Sequence, residues 1–110
     1  MPPTIASSWH SASGSSLNNP LDMSGKVVIV TGGGKGVGRG ITTRFLDAGA
    51  DVVICGRNEP EALPGGGGKQ AVFVAADVRQ IDDIDRVVTV TIERFGRLDV
   101  LVNNAGGSPI

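Results

Sequence analysis

With 110 residues, 40% of them hydrophobic, and a formal net charge of −1, the chain has the makings of one small globular domain around a single core. Its 10 Lys and Arg residues are scattered rather than blocked, which argues against nucleic acid or an anionic membrane as a partner, and no apolar run approaches the roughly 20 residues of a membrane helix. The lone cysteine, Cys55, has no partner for an internal disulfide; it falls in an apolar stretch, so a small buried thiol in a reducing, cytoplasmic setting is expected.

Residues 1–21 are rich in Ser and Asn and lack a basic region followed by an apolar one, so they read as a disordered leader rather than a secretory signal, with Trp9 and His10 incidental to function. A folded unit is expected over 22–110. Val27, Val28, Ile29 and Val30 form a continuous β-branched run, the pattern of a strand covered on both faces in a parallel sheet. A glycine-rich turn follows over Gly32, Gly33, Gly34, Lys35, Gly36, Val37 and Gly38. Ile41, Phe45 and Leu46 then recur at helical spacing until Gly49 supplies a stop.

Val52 to Cys55 predicts a second buried strand that ends at Gly56, Arg57 and Asn58. The next crossover is poorly specified. Pro60 and Pro64 bracket few residues and Gly65 to Gly68 disfavour helix, leaving room for one or two helical turns at most. Ala71 to Ala75 predicts a third strand, which leads into Asp77 and Val78. Ile81, Ile84, Val87, Val88, Ile92 and Phe95 then repeat at three and four residues as the apolar face of an amphipathic helix, acidic at its start, with Arg94 near its end and Gly96 at the C-cap position. Asp82, Asp83 and Asp85 read as its solvated face. Val100 to Val102 is the fourth strand and runs into Asn103, Asn104, Ala105 and Gly106.

Strands alternating with such crossovers imply βαβ units and a parallel sheet, the first half of a doubly wound, Rossmann-type α/β fold with about four strands. Ligands of such sheets bind at the carboxyl ends of the strands. The glycine turn, Arg57, Asp77 and Asn104 all fall at such ends. A glycine turn between strand and helix lets a diphosphate approach the backbone without Cβ clashes, and the free amides and dipole of the helix start favour its charge.

Neither the P-loop pattern nor G-x-G-x-x-G fits residues 32–40; Thr31-Gly32-x-x-x-Gly36-x-Gly38 does. With that turn, Asp77-Val78 after the third strand and Asn103-Asn104-Ala105-Gly106 after the fourth, the chain resembles the short-chain dehydrogenase/reductase family over about residues 22–107. The resemblance implies a nicotinamide dinucleotide cofactor. It implies an adenine contact at Asp77, whose other reading is a plain turn carboxylate, and a bracing role as well as a ribose-facing one for Asn104 and Ala105. Thr31 reads as structural, tying the turn to a neighbouring strand.

Cofactor choice turns on the end of the second strand, where an acid would accept both ribose hydroxyls and repel a 2′-phosphate. Gly56 stands there, followed by Arg57, whose planar guanidinium suits a phosphate; the resemblance adds Lys35 on the same side. NADP(H) is therefore expected over NAD(H), with Glu59 weakening the case and a solvated surface role the alternative for Arg57. The Tyr-x-x-x-Lys pair that the family uses for proton transfer lies beyond the fourth strand, and the sequence holds no tyrosine. Two readings follow: an oxidoreductase acting on an alcohol or carbonyl, represented here without its catalytic part, or a non-catalytic dinucleotide-binding remnant. Either leaves a sheet edge open, with self-association through it expected.

Overall fold

The computed structural model describes residues 22–104, so the leader expected over 1–21 and the expected site residues Ala105 and Gly106 lie outside the described residues. Strand β1 (Val27–Thr31) leads through the glycine turn into helix α1 (Gly36–Asp47) and returns as β2 (Asp51–Gly56). Two short strands, β3 (Gly65–Gly66) and β4 (Lys69–Gln70), precede β5 (Val72–Ala75), helix α2 (Ile81–Phe95) and β6 (Val100–Asn103). The main sheet has the order β5-β2-β1-β6 with every neighbouring pair parallel. This is the half of a doubly wound α/β fold that the strand pattern predicts.

The continuous apolar runs of β1 and β2 follow from burial on both faces. Alternate residues point to opposite sides of the sheet. Val28, Val30, Val52 and Ile54 join Leu46 of α1 in one core cluster, and Ile29, Val53, Cys55 and Val74 join Val87 of α2 in the other. Burial of each such side chain contributes on the order of 2 kcal/mol. Helix α1 ends through Gly49 at φ +100°, and α2 through Gly96 in the left-handed region, whose N–H donates to the Ile92 carbonyl at 2.8 Å. Asp82 and Asp83 sit in the first turn of α2 and Arg94 in its last, matching the helix dipole.

The β2 to β5 crossover keeps within the expected limit of one or two helical turns and contains none: its glycines form the β3–β4 antiparallel hairpin, and Gly66 and Gly67 lie so close to Asp47 and the Leu46 carbonyl that a Cβ at either position would collide with the end of α1. The apolar stripe of α2 is wider than the line it buries. Val87 and Thr91 are buried, one turn apart, whereas Ile81, Ile84 and Ile92 are exposed. Those isoleucines flank the contact line, on a side where no described element covers them.

Candidate functional site

The glycine turn is built by close approach. Gly36 adopts φ +60°, a left-handed conformation that side chains resist, and the space its Cβ would occupy is open. Gly38 is the opposite case: a Cβ there would strike the Gly32 carbonyl and come within 2.6 Å of Asn104 Nδ2. Gly33 is buried against Ile54 and Thr42, and the Thr42 hydroxyl donates to the Gly38 carbonyl at 2.9 Å. The turn is thus shaped by the helix, β2 and β6 together.

Thr31 ties this turn to the fourth strand of the sheet, as its sequence position predicts. Its hydroxyl donates toward the Val102 carbonyl at 3.4 Å and Asn103 Oδ1 at 3.3 Å, and accepts the Asn104 N–H at 2.9 Å. Asn104 Nδ2 donates to the Gly32 carbonyl at 3.3 Å, so the bracing role expected of Asn104 is present in the structure.

The glycine turn and the end of β2 form the two walls of a cleft of about 640 Å³ at the carboxyl end of the sheet. Gly32, Gly34, Lys35, Gly36 and Arg57 line it, with Gly56, the last residue of β2, beside Arg57 and Phe73 of β5 at its side. Lys35 and Arg57 are exposed, and the half-buried Arg39 joins them; Glu59 and Glu61 stand on the crossover wall. No side chain caps the start of α1, and its first turn carries no acid, so the positive end of the helix dipole is uncompensated beside the cleft.

Not every expected site residue lines that cleft. Val37 is 73% exposed, and Gly33 and Gly38 are consumed by packing. Val78 packs against the α2 face and borders a shallow apolar depression with Ile84, Val88 and Leu101. Asp77 belongs to a turn: its Oδ1 accepts the Arg79 backbone N–H and Nε–H, both at 3.0 Å, while Oδ2 accepts Nη2 at 2.9 Å. The Arg79 side chain, its backbone amide and, at longer range, Arg57 draw the Asp77 carboxyl down to about 2. Burial pushes the Cys55 thiol up, partly offset by the Gly32 amide, consistent with the inert buried cysteine expected from sequence.

Three participants had no clear signal in the sequence. Arg39 reaches across the turn to the Gly34 carbonyl at 3.1 Å and the Ala62 carbonyl at 2.8 Å. Asp83, expected to be solvated, turns back to accept the Asp77 N–H at 2.7 Å, fixing the loop between β5 and α2. Arg79 neutralises Asp77; an Asp-x-Arg spacing compatible with an Asx turn is the one hint that could have found it.

The family profile described as short chain dehydrogenase matches residues 26–110. The chain is 50% identical over 91 residues to an L-fucose dehydrogenase of Bos taurus, covering 77% of this chain and 32% of that protein. A crystal structure of a short chain dehydrogenase from Bacillus anthracis shares 44% identity at a TM-score of 0.66, over 78% of this chain and 37% of that one. A structure of an NADH-dependent reductase, A1-R′, complexed with NAD shares 30% identity at a TM-score of 0.69, over 79% of this chain and 38% of that one. This chain belongs to the short-chain dehydrogenase family, whose doubly wound fold its sheet reproduces. It spans about a third of the length of the relatives it matches. No described helix is long and apolar enough to cross a membrane.

Proposed function

We propose that residues 22–110 are the dinucleotide-binding part of an oxidoreductase that passes hydride between a nicotinamide and an alcohol or carbonyl, and that this part takes NADP(H) in preference to NAD(H). The observation that carries the preference is the pairing of Gly56-Arg57, at the end of β2, with Lys35 across one cleft beside the uncapped start of α1. The α1 start suits the diphosphate, with Gly36 leaving room for close approach. Arg57 and Lys35 suit a 2′-phosphate, where an acid would repel it. Bound there, the nicotinamide would supply the hydride-transfer chemistry.

The remaining assignments follow the same reading. Asp77 and Val78 face the adenine, the Asp77 oxygens keeping acceptor capacity beyond their three bonds to Arg79. Asn104 is assigned to the cofactor ribose, with Ala105 and Gly106 of the same motif counted among the cofactor-binding residues. A buried, unpaired Cys55 fits a cytoplasmic protein.

Calorimetric titration of the full chain with NADPH and NADH, on the wild type and on Arg57→Ala, tests the preference. Loss of a charge-assisted phosphate contact is worth about 1.5–3 kcal/mol, so NADPH affinity should fall about 10- to 150-fold in the variant with NADH affinity little changed. Equal affinity of the wild type for both nucleotides would overturn the assignment.

A further inference from the structure

The half-buried guanidinium of Arg39 bridges the glycine turn and the crossover after β2. Its Nη1 donates to the carbonyl of Gly34 in the turn and to the carbonyl of Ala62 in the crossover, 23 residues away along the chain. Pro60 lies on the same contact: a Cβ at Gly34 would stand 3.2 Å from its ring. The crossover between Arg57 and Ala62 is a loop without helix or strand, held at one end by β2 and at the other by this one guanidinium. The two N–H groups of Nη1 lie in the rigid guanidinium plane, so bonding two carbonyls at once fixes direction as well as distance, which a freely rotating ammonium does less well.

We propose that Arg39 is a specificity-determining positioning residue. By clamping Gly34 to Ala62 it sets the spacing between Lys35, which follows Gly34, and Arg57, which opens the clamped loop. Those two cations can then receive one phosphate together. The inference rests on the reading that Lys35 and Arg57 bind the 2′-phosphate, and it adds that the discrimination resides in a clamp that the phosphate does not touch. Both Nη1 bonds go to backbone carbonyls, so that nitrogen is spent on the fold.

The test is a double-mutant cycle on the ratio of NADPH to NADH affinity, measured by calorimetry on the full chain as wild type, Arg39→Ala, Arg57→Ala and the double variant. Positioning gives a drop of about tenfold in the ratio for Arg39→Ala, little change in NADH affinity, and no further drop when Arg39→Ala is added to Arg57→Ala. Effects that add in the double variant would mean that Arg39 contacts the phosphate itself, and an unchanged ratio in Arg39→Ala would mean that the clamp is irrelevant; either overturns the proposal while leaving the NADP(H) reading intact. A wild type without preference removes both. Circular dichroism melts identify a variant that fails to fold, in which case Arg39→Lys, which keeps the charge and loses the fork, takes its place in the cycle.

Discussion

At the scale of single residues, the glycine turn divides its labour. Gly36 leaves the cleft wall open, while Gly38 lets the start of α1 press onto the Gly32 carbonyl and the Asn104 amide. The consensus spacing shows which positions must be glycine and is silent on why each must be. Gly38→Ala should therefore cost about 1–3 kcal/mol through overpacking against backbone that cannot retreat, read as a lowered midpoint in urea, whereas Gly40→Ala, whose Cβ meets nothing within 4 Å, should be neutral or stabilising. Equal midpoints for both variants would contradict this division. Thr31 and Asn104 were legible for the same reason as Gly38, since their partners lie on strands whose ends the motifs mark. Arg39, Arg79 and Asp83 were not: their roles depend on carbonyls and amides, which every residue type carries, and on a loop path that no periodicity encodes.

At the scale of elements, hydrophobic periodicity located β1, β2, β5, β6 and both helices because each buries a regular face. It failed where burial is irregular. The Gly65 to Gly68 run became a hairpin because the end of α1 leaves no room for side chains there, a tertiary constraint absent from local propensity. The α2 stripe was read as the apolar face of an amphipathic helix, and spacing reports amphipathicity but not what covers it. Its exposed flank, with Leu101 at 54% exposure on β6, is continuous with an edge strand paired on one side only among the described residues.

At the scale of the molecule, the sheet order and the two-sided core place the glycine turn and the end of β2 at the same edge of the sheet, and this juxtaposition carries the functional reading. The sequence could name the fold, the family and the cofactor class, because these are written in strand ends. It could not show that the crossover is pinned to the turn, on which the shape of the cleft depends. The proposed adenosine site lies almost wholly among the described residues, and its reading does not depend on where the hydride goes.

The most direct measurement is therefore a titration that omits the nicotinamide altogether. Adenosine 2′,5′-bisphosphate and 5′-AMP are compared by calorimetry, with amide shifts followed in ¹⁵N-labelled protein. The bisphosphate should bind about tenfold tighter or more, with the largest shifts at Lys35, Gly36 and Arg57. Equal affinities, or shifts centred away from the glycine turn and the end of β2, would contradict it.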